Sequence, residues 1–167
     1  MTTIIESGMP FDFADQTGFR LEDSDTHKAV QPGVKIADFL YLCKNDTVVW
    51  CVEAKSSSPH PNTQPDFEEF ISDVKNQLLN AFSLYFAMRL DRHATAGELP
   101  PTFKIPELAR VGIQFVLIIA GHPQDWLPPL KEALYKELYP TIRTWNLGSN
   151  PVIVLNDELA REYRLIR

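Results

Sequence analysis

The sequence has little cysteine and no long hydrophobic run. Only two cysteines, Cys43 and Cys51, occur among the 167 residues, and both lie in apolar stretches typical of strands. No CxxC or HxxxH spacing is present to hold zinc, so we interpret both as reduced residues of a cytoplasmic protein. No apolar run reaches the 18 residues of a transmembrane helix, and the opening MTTIIESGMP does not have the pattern of a secretory signal. We therefore expect no membrane partner.

The chain also lacks an excess of positive charge and a glycine-rich phosphate loop. Its 16 basic and 22 acidic side chains give a net charge of −6, which argues against a protein that coats nucleic acid without specificity. This balance does not exclude a nuclease, because the metal site of a nuclease is itself acidic. No GxGxxG or GxxxxGK[ST] loop is present to hold a dinucleotide or a nucleoside triphosphate. No helix-turn-helix or zinc finger is present to read bases.

Apolar periodicity predicts one α/β domain over residues 1–167. An antiparallel meander comes first, and strands that alternate with helices come after it, which predicts a mixed sheet with helices on both faces. The first predicted elements are a short helix beginning at TTIIES, a loop over 7–18, a short strand GFRLE and a polar turn DSDTHKAVQPG. A hairpin of strands 34–44 and 47–57 around a turn at 44–46 follows, then a loop to residue 65 and a long helix over 66–92. The last predicted elements are a loop or short helix over 94–108, a strand over 110–121, a helix over 125–139 ending before Pro140, a strand over 151–157 and a helix over 157–165.

The stretch VVWCVEAKSS places an acid and a base at the end of an apolar strand. Glu53 and Lys55 are two residues apart and therefore point to the same face of that strand. Asp38 lies in the preceding strand, where adjacent antiparallel strands can bring two acids together. Two close carboxylates repel unless a cation lies between them, and oxygen ligands suit Mg²⁺ or Mn²⁺. The structural alternative is an exposed ion pair at a strand end, which contributes at most about 1 kcal/mol.

Asp38, fourteen intervening residues and then Glu53-Ala54-Lys55 resemble the core motif of the PD-(D/E)XK nucleases, with Ala37 in place of the usual proline. The family core consists of a helix, a three-stranded meander, a helix and a further strand, and it resembles the predicted order through about residue 120. The resemblance implies a restriction-endonuclease-like core with an extra C-terminal strand and helix.

The resemblance also implies roles for the residues of the motif. Asp38 and Glu53 would bind Mg²⁺ or Mn²⁺, with the backbone carbonyl of Ala54 as a further ligand. Lys55 would be the catalytic lysine, which orients or deprotonates the attacking water or stabilises negative charge on the phosphate.

Two further residues are candidates by the same resemblance. Many family members add an acid from the first helix, and Glu6 is placed to serve as this metal ligand. Its alternative is a helix cap, since Thr3 and Glu6 match a capping box. Many members also carry a polar residue on the helix after the motif, and Gln77 is the best candidate for it, with Lys75 and Asn80 behind it. The alternative for Gln77 is a solvated helix residue.

These features predict a metal-dependent endonuclease, with DNA as the expected substrate and little intrinsic sequence specificity, in restriction, repair or phage defence. A partner protein or the structure of the DNA would direct it. Cutting both strands would favour a homodimer in which the helix 66–90 supplies part of the interface. Two alternatives stay open, namely a catalytically silent family member and an acidic immunity or interaction protein. Basic residues at the ends of two predicted helices are candidate phosphate contacts, with solvated faces as the alternative: Arg89, Arg92, Arg161, Arg164 and Arg167.

Overall fold

Seven strands and four helices make up the protein in a computed structural model that describes residues 1–43 and 47–167. The turn predicted at 44–46 lies outside the described residues. The strands are β1 (Thr2–Glu6), β2 (Met9–Phe13), β3 (Gly18–Arg20), β4 (Phe39–Cys43), β5 (Val48–Lys55), β6 (Gly112–Ile119) and β7 (Val152–Asn156). The helices are α1 (Asp25–Val30), α2 (Asp66–Arg89), α3 (Leu127–Trp145) and α4 (Asp157–Glu162), and short 3₁₀ turns occur at Ala96–Glu98, Pro101–Lys104 and Gln124–Trp126.

The main sheet has five strands in the order β3-β4-β5-β6-β7. The first three form an antiparallel meander, whereas β6 is parallel to β5 and β7 is parallel to β6. Parallel neighbours need a long crossover connection, which α2 supplies between β5 and β6 and α3 supplies between β6 and β7. The predicted α/β class with a mixed sheet is confirmed.

Alternation along the central strands gives the sheet two apolar faces. In β5, Val49 and Cys51 pack in the core under α2 and α3, while Trp50, Val52 and Ala54 pack on the opposite face. That second face is covered by α4 and by the hairpin of β1 and β2. Glu53 and Lys55 continue the odd-numbered series of β5, so they belong to the face that carries α2.

The N-terminal helix and the loop over 7–18 are wrong predictions, because residues 2–13 form a β-hairpin. Ser7 and Gly8 both have positive φ, +50° and +78°, as a two-residue hairpin turn requires. Phe11 and Phe13 of β2 are fully buried against the sheet. The apolar alternation of β2 and its burial outweigh the capping-box pattern, so Glu6 ends a strand and caps no helix.

Two helices, α1 and α3, also differ from the predictions. The polar turn over 23–33 contains α1, which begins because the Ser24 side chain accepts a hydrogen bond from the His27 backbone N–H at 3.0 Å. Helix α3 continues through Pro140 to Trp145. Its buried stripe includes Leu138 and Ile142 on either side of the proline, and the packing of that stripe outweighs the lost backbone hydrogen bond.

The remaining elements agree with the sequence in kind. Helix α2 and strands β3, β5, β6 and β7 lie where the periodicity predicts them, and α4 is a shorter version of the predicted C-terminal helix. Cys43 and Cys51 are not joined in a disulfide. Within the described parts of the chain, no helix has both the length and the apolarity that crossing a bilayer demands.

Candidate active site

Asp38 and Glu53 face each other across two antiparallel strands. Phe39 of β4 pairs with Val52 of β5, so the next step of the register brings Asp38 opposite Glu53. The Asp38 Oδ2 atom accepts a hydrogen bond from the Ala54 backbone N–H at 2.7 Å. Both acids are buried, with 8% of Asp38 and 2% of Glu53 exposed. The side chain of Asp38 thus takes a place in the ladder of the sheet, and β4 begins only at Phe39.

Burial of two neighbouring acids changes their protonation. Burial raises the pKa of Asp38 from its ordinary value to about 8, and the nearby charge of Glu53 acts in the same direction. Burial also raises the pKa of Glu53, although the Lys55 ammonium opposes this change. The two acids therefore occupy a site that is short of positive charge.

Lys55 connects Glu53 to helix α2. Its Nζ lies 2.5 Å from Glu53 Oε1 and donates a hydrogen bond to Gln77 Oε1 at 3.3 Å. Gln77 is held beside the site because its backbone carbonyl accepts a hydrogen bond from the Ala37 N–H, one residue before Asp38. The side chain of Lys55 remains 30% exposed, so it is partly open to solvent.

The second carboxylate oxygen of Glu53, Oε2, is buried without a hydrogen bond among the described residues. The Gln77 amide lowers the pKa of Glu53, but it does not satisfy this oxygen. A buried carboxylate oxygen without a partner is destabilising, and a bound cation would remove that penalty.

Two more acids, Glu6 and Glu22, join Asp38. A carboxylate oxygen from each of the three lies within 4.8 Å of the others. Glu6 arrives from the end of β1, and Glu22 arrives from the segment after β3, where its backbone N–H donates to the Asp38 carbonyl at 3.3 Å. Sequence reasoning missed Glu22, although this acid ends the predicted strand GFRLE, which precedes the strand of Asp38 in the predicted meander.

Arg20 at the end of β3 pairs with the outer acids. Its guanidinium donates to Glu6 and to Glu22, the latter at 3.4 Å, and its Nε lies 2.9 Å from Asp23. Arg20 lowers the pKa of Glu6, but burial and Glu22 raise it more strongly. Sequence reasoning missed Arg20 as well, because its role depends on the β1–β2 hairpin, which the apolar pattern alone did not predict.

The backbone carbonyl of Ala54 already has a partner. Ser7, in the turn between β1 and β2, donates its hydroxyl hydrogen to this carbonyl at 2.9 Å. A carbonyl oxygen has two lone pairs, so this hydrogen bond leaves one for a further contact. The β1–β2 hairpin therefore brings both Glu6 and Ser7 to the end of β5.

The side chains behind Gln77 support the position of α2. Lys75 pairs with Glu137 of α3 at 3.8 Å, and the Asn80 amide donates to the Lys35 carbonyl at 2.6 Å. Among the basic candidates, Arg89 donates to the carbonyl of Pro106, and Arg161 pairs with Asp157. These interactions hold elements of the fold together, and each of them has a structural reason.

The donor set fits a hard divalent cation. The four acids Glu6, Glu22, Asp38 and Glu53 meet two cationic side chains, Arg20 and Lys55, so full ionisation leaves two uncompensated negative charges. All the donors are oxygen atoms, which Mg²⁺ and Mn²⁺ prefer. The unpartnered Oε2 of Glu53 and the raised pKa of Asp38 are consistent with a site built for a cation.

Comparison with known proteins gives no match to a protein-family model, to a curated protein or to a solved structure. The basis for a function is therefore the chemistry of the residues gathered at the ends of β1, β3 and β5 and directly before β4.

Proposed function

We propose that the protein is a divalent-metal-dependent endonuclease of the PD-(D/E)XK type that hydrolyses phosphodiester bonds, with DNA as the expected substrate and little intrinsic sequence specificity. The observation that carries the proposal is the meeting of Asp38 and Glu53 across β4 and β5, with Lys55 bound to Glu53. An acid pair buried at this cost and joined to a partly exposed lysine is typical of a catalytic site.

Asp38 and Glu53 would hold Mg²⁺ or Mn²⁺, with Glu6, Glu22 and the free lone pair of the Ala54 carbonyl as further oxygen ligands. When bound, such an ion neutralises charge on the phosphate and lowers the pKa of a bound water. The hydrogen bond from the Ala54 N–H keeps the Asp38 carboxylate turned toward β5. This arrangement fixes the first ligand before any cation arrives.

Lys55 would act on the scissile phosphate. An ammonium group has three N–H donors, and Glu53 and Gln77 accept two of them. The third donor is available to a phosphate oxygen, where it would stabilise the negative charge that develops during hydrolysis. Gln77 is then a positioning residue, because it acts through Lys55 rather than on the substrate.

A catalytically silent relative is the second candidate. Arg20 and Lys55 already serve as counter-ions for Glu6, Glu22 and Glu53, and such a network can hold a fold without any metal. An acidic immunity or interaction protein would belong to the same group of non-catalytic functions. Metal binding and metal-dependent cleavage separate both alternatives from the nuclease.

The test is a cleavage assay with supercoiled plasmid, linear duplex DNA, single-stranded DNA and RNA, each with MgCl₂, MnCl₂ or EDTA. We expect cleavage that requires the metal and that falls by about 100-fold or more in Lys55→Ala, because a charge-stabilising donor is lost. Asp38→Ala should lose activity as well. The preferred substrate among the four would distinguish DNA from RNA.

Lys28→Ala is the matched control, since Lys28 forms an exposed ion pair with Asp25 on α1. It should cleave at the wild-type rate when purified in the same way. Cleavage that persists in Lys55→Ala and Asp38→Ala would indicate a contaminating nuclease and contradict the proposed site. A folded wild-type protein that neither binds metal nor cuts any of the four substrates would favour the silent relative.

A further inference from the structure

We infer that Arg20 is the resident counter-ion of the acid cluster and competes with the divalent cation for Glu6 and Glu22, so that cation binding displaces its guanidinium group. This inference rests on the proposed metal site, but not on hydrolysis. Arg20 would therefore determine how tightly the site binds the metal.

The contacts of Arg20 place it among the metal-binding oxygens. Its guanidinium donates to Glu6 and Glu22, and these are two of the three acids whose oxygens approach one another to within 4.8 Å. The third acid of that group is Asp38, which both Glu6 and Glu22 influence by raising its pKa. The positive charge of Arg20 is therefore next to the position that the three carboxylates share.

A guanidinium group and a divalent cation are poor neighbours on the same carboxylates. Both draw on the same oxygen lone pairs, and their like charges repel most strongly where burial excludes water. Only 14% of the Glu6 side chain is exposed, so solvent does little to screen this repulsion. Cation binding at Glu6 and Glu22 must therefore weaken or break their bonds to Arg20.

Asp23 offers Arg20 an alternative partner at the surface. The Arg20 side chain is 40% exposed, and its Nε is already bound to Asp23, which is 63% exposed. The guanidinium group can release Glu6 and Glu22 while it stays paired with Asp23 at the surface. Lys55, in contrast, is bound to Glu53 and Gln77, which are not the groups that Arg20 holds.

Calorimetric titration with MnCl₂, in the absence of nucleic acid, tests the inference on the whole chain. We expect Arg20→Gln to bind Mn²⁺ about tenfold more tightly than the wild type, because the competing charge is gone. Arg20→Lys keeps the charge without the forked donors, so its affinity should lie between the two. Arg110→Gln removes one positive charge from an exposed pair with Glu107 and should bind like the wild type.

Thermal unfolding supplies a second readout. Without metal, Arg20→Gln leaves Glu6, Glu22 and Asp23 to repel one another, so its melting temperature should fall. MnCl₂ should then raise the melting temperature more in Arg20→Gln than in the wild type, since a cation takes over the lost counter-charge. If Arg20→Gln folds only with MnCl₂, that rescue also supports the inference.

Several results would overturn it: equal or weaker Mn²⁺ affinity in Arg20→Gln, no Mn²⁺ binding by either protein, or an unfolded Arg20→Gln that MnCl₂ does not rescue. Failure of the proposed function is distinguishable from these outcomes. A wild-type protein that binds Mn²⁺ and cuts no nucleic acid would contradict the nuclease, while tighter binding by Arg20→Gln would still support competition by Arg20.

Discussion

The Asp38 side chain makes a hydrogen bond within the sheet, but its charged form is unfavourable where it lies. Its Oδ2 accepts a hydrogen bond from Ala54, which helps to end the ladder between β4 and β5, yet its charge is disfavoured by burial and by the neighbouring acid Glu53. A buried acid that is destabilised in the free protein is expected where a site is arranged for a ligand and not for stability. The cost of this arrangement should be visible as a dependence of stability on pH.

The folded-state pKa of Asp38, about 8, lies above its ordinary value of 3.8. Between these two values the unfolded chain loses the Asp38 proton while the folded protein keeps it, so the free energy of unfolding should fall as pH rises. Asp38→Asn cannot ionise, but it can still accept the hydrogen bond from Ala54. We therefore expect Asp38→Asn to be more stable than the wild type at pH 8 by about 2 kcal/mol or more, with a much smaller difference at pH 4.

Urea unfolding in EDTA at pH 4 and at pH 8 measures this difference. Asp73→Asn is the matched control, because Asp73 is an exposed acid on α2, and its effect on stability should be similar at both values. A stability difference between Asp38→Asn and the wild type that is the same at pH 4 and pH 8 would show that Asp38 ionises normally.

The residues of the site divide according to how near in sequence their partners are. Asp38, Glu53 and Lys55 could be predicted because the two strands that carry them are close in sequence and have strong apolar patterns. Gln77 could be predicted from its place on the next helix. Glu22 and Arg20 had a weaker signal. They reach the site through β3 and the segment after it, and α1 separates β3 from β4 along the chain.

At the scale of elements, local patterns succeeded where they agreed with packing and failed where packing opposed them. The helix predicted at the N-terminus rested on Thr3 and Glu6, two polar residues of a four-residue pattern. The hairpin that forms instead buries Ile4, Met9 and Phe11 against the sheet, and this apolar burial is worth more than one capping interaction. The Ser7–Gly8 turn was the overlooked local signal.

Helix α3 gives the opposite lesson about proline. Pro140 predicted a helix end, but the helix continues to Trp145 with the buried residues Leu138 and Ile142 on either side of it. A proline inside a helix removes the hydrogen bond to the carbonyl four residues earlier and strains the preceding turn. The packing of α3 on the sheet must therefore offset a local penalty at Pro140.

Replacing this residue should release the penalty. We expect Pro140→Ala to raise the free energy of unfolding by about 2 kcal/mol, since the alanine restores the hydrogen bond, partly offset by the greater freedom of the unfolded chain. Urea unfolding at fixed pH measures the change. Pro128→Ala is the control, because Pro128 lies in the first turn of α3, where no backbone hydrogen bond is lost. A destabilised Pro140→Ala would mean that the bend at the proline is itself needed for packing.

At the scale of the whole molecule, one face of the long helix α2 is buried in the core. The aromatic residues Phe67, Phe82 and Tyr85 of α2 are buried in the core of the same chain. The expected homodimer stays a prediction, and these side chains are not free to form its interface. Large apolar side chains that do remain exposed near the end of α2 and of α3 include Leu90 and Trp145.

The net charge of −6 predicts that binding of nucleic acid depends on a divalent cation. Without a divalent cation, the acids around Asp38 repel phosphate, whereas a bound cation together with Lys55 offers a local positive site. In the slowly cleaving variant Lys55→Gln the cation alone supplies this positive charge. We expect that variant to bind a labelled duplex with MgCl₂ but not with EDTA and KCl at the same ionic strength. If two or three phosphates are contacted, a plot of the logarithm of the affinity against the logarithm of the salt concentration should have a slope of about −2 to −3. Fluorescence anisotropy measures both quantities. Adding Glu53→Gln, which removes a proposed metal ligand, should abolish the binding that MgCl₂ supports. Binding that is equal in EDTA and has a steeper slope would place the nucleic acid on the arginines of α4 and the C-terminus, away from Asp38 and Glu53.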